Sequence, residues 1–183
     1  LTYGQKQAAK LGIETVHVDI TPYLESFGVY QRRNAIIKRI IPEFEEDFKF
    51  HVTLPQNLLE KDRLNYHSII VEDKRGKRIT SRLSGSDWLE ISASQNIKQR
   101  TRMIQFYYFA EKKNYLVGGT TNKSELMQGF FVKFGDGGVD IEPIAHLYKT
   151  QVYQLSKHLG VIQEIIDRPP SPDTYSLPVT DKE

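Results

Sequence analysis

Hydrophobic and polar positions divide the chain into short helical and extended segments. Thr2 to Leu11 has helical spacing and ends at Gly12, the residue type favoured just past a helix C-terminus. Val16, Val18 and Ile20 then alternate with His17 and Asp19, which predicts a strand over Glu14 to Thr21. A helical stretch from Arg32 to Ile41 is stopped by Pro42. Two β-branched runs, YHSIIVE and KRITSRL, joined by Asp73, Lys74, Arg75 and Gly76, predict a β-hairpin over Tyr66 to Leu83. Asn96 is the expected N-cap of a mostly buried helix over Ile97 to Lys113, with apolar groups at Ile97, Ile104 and Tyr108 and at Met103, Tyr107 and Ala110. The run YLVG, Tyr115 to Gly118, predicts a short buried strand, which Gly119, Thr120, Thr121 and Asn122 turn into a helix beginning near Lys123. KTQVYQLSKHLG predicts an amphipathic helix closed by Gly160, and Pro169, Pro170, Pro172 and Pro178 make the tail a loop. Helices alternating with short apolar strands predict an α/β layer fold.

Composition narrows the chemistry. With 183 residues, 39% of them hydrophobic, the chain is expected to form one domain with its own core. The absence of cysteine excludes disulfide scaffolds, thiolate zinc sites, CxxC redox centres and a cysteine nucleophile. Lys plus Arg is 25 against 23 for Asp plus Glu, a net charge of +2 that marks no dedicated nucleic-acid binder. No apolar run approaches membrane-spanning length and no secretory leader is visible, so a soluble, cytoplasmic protein is expected. The chain opens at Leu1 without an initiator methionine, with a helix already under way, and stops at Glu183 in a loop, so sequence is expected beyond both ends.

Charge is uneven along the chain. Lys61 to Arg82 carries a net +4, leaving about −2 for the remainder. Such a basic hairpin can hold phosphates or RNA, although a solvated edge protected from aggregation by Lys and Arg is the plainer alternative. The acidic cluster Glu43, Glu45, Glu46 and Asp47, interleaved with Phe44 and Phe48, reads as the solvated face of a short amphipathic segment.

Candidate chemistry begins after Ser94. Arg100 and Arg102 either pair with carboxylates for structure, the more ordinary role, or aim at a bound anion. The turn Gly119 to Asn122 joins a strand end to a helix N-terminus, the geometry that holds nucleotides and phosphates in α/β sheets. Glu125 with Asn122 fits a capping box, in which the carboxylate reaches back to a backbone amide. FVKFGDGGVDIEPI, Phe131 to Ile144, places Gly135, Gly137 and Gly138 among Lys133, Asp136 and Asp140, a loop whose backbone can approach a ligand closely. Asp136 with Gly137 is equally a turn pair, Lys133 a possible surface lysine, and His146 reads as structural.

The runs NIKQRTRM, LVGGTTNKSELMQGFFVKFGDGGVDIEPIAHLYKTQVYQLSKHLG and RPPSPDTYS together resemble the ammonia-dependent NAD synthetases of the adenine nucleotide alpha-hydrolase-like, ATP-pyrophosphatase superfamily. The resemblance covers about Asn96 to Asp173, and Thr2 to Thr21 is similar to the helix and strand that precede this part in the family. It implies a Rossmann-like parallel sheet flanked by helices, incomplete at the N-terminus. Residues 1–183 would then be a single α/β nucleotide-binding domain fragment, with an insertion at about 39–91 that includes the basic hairpin. The implied activity is a ligase converting deamido-NAD, ATP and ammonia to NAD, AMP and pyrophosphate through an acyl-adenylate. ATP is the implied co-substrate, Mg2+ the implied cofactor and a homodimer the implied assembly. By resemblance, Arg100, Lys133 and Asp140 contact deamido-NAD, Thr120, Lys149 and Ser171 contact ATP, and Glu125 is the magnesium carboxylate. Lys133 and Lys149 are carried over as the catalytic pair, and Asp136 and Gly137 as residues that shape the loop. The family's SGGxDS pyrophosphate loop is not found between Leu1 and Glu183 and is expected upstream; without it this stretch alone is expected to be inactive. Two alternatives stay open: the same ATP chemistry on another carboxylate, and a non-catalytic nucleotide- or RNA-binding module.

Overall fold

Capping residues decide where several of the helices begin and end. A computed structural model describes residues 2–54, 66–171 and 175–177. Lys61, Asp62 and Arg63 of the basic stretch, and Pro172, Asp173 and Pro178 of the tail, lie outside the described residues. The elements run α1 (Tyr3–Leu11), α2 (Thr21–Ser26), α3 (Val29–Ile40), β1 (Lys49–Thr53), β2 (Ser68–Glu72), β3 (Arg78–Arg82), α4 (Gly85–Lys113), α5 (Lys123–Gln128), α6 (Lys149–His158) and α7 (Gln163–Ile166). The chain divides into two compact units, one of residues 1–23 with 96–168, the other of residues 24–95 with 169–183.

In the unit built on residues 24–95, the hairpin forms as the sequence predicts. β2 pairs antiparallel with β3, from Ser68 opposite Arg82 to Glu72 opposite Arg78. Its turn is held by Asp73, whose carboxylate accepts the Arg75 and Lys77 amides at 2.8 and 2.9 Å, while Gly76 takes a left-handed φ of 80°. β1, not anticipated as a strand, adds a third antiparallel strand along β2. Its five residues alternate too briefly to declare a strand alone; the pairing with β2 makes them one. Phe50, Ile69 and Val71 point inward and meet Ile36, Ile37 and Ile41 of the α3 region, with Phe44, Leu83 and Ile91 closing the core. The tail is stitched to β1, because Phe50 N–H donates to Ser176 Oγ and Leu177 N–H donates to the Phe50 carbonyl, both at 3.0 Å. The acidic cluster is exposed as expected, and Asp47 pairs with Lys74. Arg78 pairs with Glu72 at 2.8 Å, so part of the hairpin's positive charge is neutralised locally.

The helix expected from Ile97 begins much earlier, at Gly85, and Asn96 lies inside it rather than capping it. Ser84 is the residue that starts α4: its hydroxyl accepts the Asp87 amide at 3.1 Å, and Asp87 in turn binds Ser84 Oγ and the Arg39 guanidinium. α4 is not mostly buried either. Thr101, Met103 and Ala110 are buried, but Ile104 and Tyr108 are 60% and 56% exposed. The neighbours of this stretch cover one stripe, Met103, Tyr107 and Ala110 against Val117 and Val139, which is what helical periodicity allows from one side.

In the unit of residues 1–23 and 96–168, α1 follows the sequence closely. Thr2 and Gln5 form a capping box, and Gly12 closes the helix at φ 66°. The strand expected over Glu14 to Thr21 is absent: the segment has no strand partner among the described residues, and Val16 is 53% exposed. Alternation describes a strand's faces, but only a neighbouring edge satisfies its amides. The YLVG strand is likewise reduced to an isolated parallel bridge between Gly118 and Ile141. That bridge is what the described residues contain of the expected parallel sheet.

The Ser84 hydroxyl first, and Arg39 second, hold the Asp87 carboxyl below the ordinary aspartate range. A depressed carboxylate pKa contributes stability that is present above the unfolded-state value and lost as pH falls through the folded one. Asp87→Asn is therefore expected to lower the urea midpoint at neutral pH and to match the parent in strong acid, measured by denaturation across a pH series.

Candidate functional site

The candidate chemistry sits around a polar clamp. The Asp140 carboxylate accepts the Val117 amide at 2.7 Å on Oδ2 and the Tyr107 hydroxyl at 3.0 Å on Oδ1, while its own amide donates to the Val117 carbonyl at 3.0 Å. The bridge continues as Gly119 N–H donates to the Ile141 carbonyl at 2.7 Å. Partial burial first, and Asp140 second, push the Tyr107 phenol above its usual range, so it stays protonated and donating.

The glycines around this clamp are spent on the chain itself. A Cβ on Gly119 would stand 2.6 Å from Val139 Cγ2, and one on Gly138 would stand 2.9 Å from the Phe134 backbone. The sequence suggested close approach to a ligand as the reason for the loop glycines Gly135, Gly137 and Gly138; at Gly138 packing within the loop already requires glycine. The residue with left-handed backbone in the loop is Phe134, at φ 61°, with its ring 70% exposed. Lys133 Nζ lies 5.1 Å from the centre of that ring. Arg100 Nε–H donates to the Lys133 carbonyl at 3.1 Å, and Asp136 Oδ1 accepts the Val132 amide at 2.9 Å, so α4 and the loop's own carboxylate fix the backbone that carries Lys133.

The helix beyond the turn brings a second pair together. Asn122 Oδ1 accepts the Glu125 amide and Glu125 Oε2 accepts the Asn122 amide, both at 3.1 Å, completing the expected capping box. Glu125 Oε1 faces Lys149 Nζ at 3.5 Å. Lys149 begins α6 and is anchored by its amide, which donates to Ser124 Oγ at 3.3 Å. Thr120 is exposed in the turn before α5, and His146 is exposed. Ser171 belongs to the other unit, where it is half-buried. Beside the clamp is a groove of about 280 Å³ lined by Leu126, Phe131, Gly137, Val139, Asp140, Ile141 and Glu142.

For a divalent cation, Glu125 offers one carboxylate with Oε1 turned away from its cap. Among the described residues no three acidic or histidine side chains gather into a metal cage. That donor set fits magnesium, which typically takes one or two carboxylates and fills its remaining positions with water and phosphate oxygens.

The sequence model of the NAD synthase family matches residues 40–183. The chain belongs to that family. Across all 183 residues it is 46% identical to an NH(3)-dependent NAD(+) synthetase of Rhizobium meliloti (strain 1021), covering 54% of that protein. It is 38% identical to one from Thermotoga maritima over 164 residues, 90% of this chain and 53% of that protein. The chain thus spans about half the length of the curated relatives it matches. Among solved structures, the NMN synthetase from Francisella tularensis aligns with a TM-score of 0.62 and 24% identity, covering 98% of this chain and 52% of its own, which shows the adenine nucleotide alpha-hydrolase fold. No helix among the described residues is long and apolar enough to cross a membrane.

Sequence reasoning missed Tyr107 and Ser124, which hold Asp140 and the Lys149 backbone. Tyr107 was visible only as part of an apolar stripe, since nothing in its spacing reveals a hydroxyl partner 33 residues away. Packing gives a direct test. Gly119→Ala is expected to cost about 1–3 kcal/mol through overpacking against Val139. Gly118→Ala, with nothing within 4 Å of the added carbon, is expected to stay within about 0.5 kcal/mol. Equal unfolding midpoints for the two variants would show that packing against Val139 does not require glycine at position 119.

Proposed function

We propose that the protein is an ATP-dependent, amide-forming ligase that converts deamido-NAD, ATP and ammonia to NAD, AMP and pyrophosphate. The observation that carries this reading is the family match, which runs unbroken through the turn, loop and helix that hold Glu125, Lys133, Asp140 and Lys149. A carboxylate is a poor electrophile, and transferring adenylate to it replaces an anionic oxygen with a leaving group that ammonia can displace. Thr120, Lys149 and Ser171 are assigned to ATP, with Lys149 placing positive charge where phosphate charge leaves. Arg100, Lys133 and Asp140 are assigned to the acid substrate, Lys133 on a backbone that Arg100 pins. Glu125 would hold magnesium, whose charge neutralises the phosphates when it is bound.

The proposal extends to assembly and place. In the unit carrying the site Ile104 and Tyr108, one turn apart on α4, are largely exposed, an apolar stripe that supports a homodimer. Ammonia, free or delivered by a separate partner, is the proposed nitrogen source, in keeping with the NH(3)-dependent relatives. A cytoplasmic site of action completes the proposal.

The decisive experiment follows AMP release by the full-length protein with ATP, magnesium and ammonia, with and without deamido-NAD. Release that needs both deamido-NAD and ammonia is expected; release on a different carboxylate would reassign the acid, and none at all would sink the ligase reading. Glu125→Gln keeps an acceptor for the Asn122 amide while removing the charge, so turnover is expected to fall by at least about tenfold with the thermal midpoint little changed. Full activity would leave Glu125 as a cap alone. Lys133→Ala is expected to raise KM for deamido-NAD more than KM for ATP, and equal increases in steady-state assays would reject its assignment to the acid.

A further inference from the structure

A second, larger cleft lies in the unit of residues 24–95, and none of the residues assigned above is among its described lining. It measures about 480 Å³ and opens where β2 begins, β3 ends and α4 starts. The hairpin ladder runs one step past its last strand pair, with Leu83 N–H donating to the His67 carbonyl at 2.8 Å, and so fixes Tyr66 and His67 against Arg82 and Leu83. Two ring pairs build the walls. His67 stacks on Trp88 at 4.5 Å between centroids and 25° between planes. The Arg82 guanidinium lies 4.3 Å over the Tyr66 ring. Ser84 and Gly85 complete the lining.

The lining combines flat π surface with positive charge and, among the described residues, contains no carboxylate. Asp87, in the first turn of α4, is turned instead to Ser84 and Arg39. Burial lowers the His67 pKa, so that ring is neutral at physiological pH and the cation of the cleft is Arg82. A guanidinium laid flat on a tyrosine keeps its face occupied and its N–H edge for an anion, and this planar edge suits phosphate oxygens. The volume falls within the range of small-molecule sites. From these juxtaposed groups we infer that the cleft between Tyr66, His67, Arg82 and Trp88 binds a nucleoside monophosphate, its base against the His67 and Trp88 rings and its phosphate on Arg82. This site does not depend on the ligase reading, since none of its residues belongs to the proposed catalytic set.

The protein supplies its own reporter, because Trp88 is the sole tryptophan of the chain. Titrating the full-length protein with AMP while following tryptophan emission is expected to give saturable quenching that Trp88→Phe abolishes. Adenosine, which keeps the ring but lacks the charge, is expected to bind at least about tenfold more weakly, and inorganic phosphate to leave emission unchanged. Arg82→Gln is expected to weaken AMP at least about tenfold with the far-UV spectrum intact; should it fail to fold, Arg82→Lys, which keeps the charge but loses the flat stack, is expected to weaken AMP in the same direction. Three results would overturn the inference: no quenching by AMP, equal affinity for AMP and adenosine, or quenching that survives a folded Arg82 variant but disappears in Lys149→Ala. Emission that changes with protein concentration and blocks AMP would assign the cleft to a second copy of the chain instead. None of these readouts uses turnover, so they stand apart from the fate of the ligase proposal.

Discussion

The Asp140 carboxylate is the constraint on which the unit of residues 1–23 and 96–168 depends. One side chain joins three pieces of chain: the turn after α4 through the Val117 amide, α4 itself through the Tyr107 hydroxyl, and the glycine loop through its own position. It does so where there is little apolar material to share the task, since the buried cluster of this unit consists of Met103, Ala110 and Val117 with Tyr107 and Val139 beside it. A core of that size stabilises modestly. Hydrogen bonds to a charged acceptor are stronger than neutral ones, and they also specify geometry where hydrophobic contact does not. Gly119 is the steric counterpart of the clamp, because Val139 can occupy its place only if no Cβ is there.

The other unit is organised on the opposite principle. Ile36, Ile37, Ile41, Phe50, Ile69, Val71 and Ile91 are almost wholly buried, where α3 and the start of α4 meet one face of a three-stranded sheet. Its polar contacts lie at the periphery, in the Asp73 turn, the Ser84 cap and the tail bonds to Phe50. A hydrophobic core of this kind tolerates variation at its rim. The aromatic cleft forms at such a rim, where the sheet ends and α4 begins.

How much of this was legible in the sequence depended on the range of the interaction. Signals that act within a few residues read correctly: the Gly12 cap, the Asp73 to Gly76 turn and the Asn122 and Glu125 box all appear where their side chains say they should. Features that need a distant partner did not. Val16, Val18 and Ile20 alternate as a strand does, yet no described edge pairs with them. The start of α4 was misplaced because Asn96 and Ser84 both look like caps, and only the fold shows that Ser84 holds the Asp87 amide. For the candidate site, Arg100, Lys133, Glu125 and Lys149 were named from a resemblance, and the structure joins them as two pairs, Arg100 to the Lys133 backbone and Lys149 to Glu125. Tyr107 could not be named, because a buried phenol and a buried phenylalanine look alike in a hydrophobic pattern.

Glu125 shows how a capping role leaves one carboxylate oxygen for a second contact. Its cap uses Oε2, at 3.1 Å from the Asn122 amide, and leaves Oε1 facing Lys149 at 3.5 Å. The capping half is worth about 1 kcal/mol to a short helix. The ion pair adds little stability, since both side chains are about a third exposed and such pairs contribute about 0–1 kcal/mol. A capping acceptor alone could be supplied by glutamine, which completes capping boxes equally well. What glutamine cannot supply is a negative charge held rigidly at the N-terminus of α5, opposite a lysine that begins α6. The cap therefore acts as the support that aims the second oxygen, and the charge on that oxygen is what the helix itself does not require.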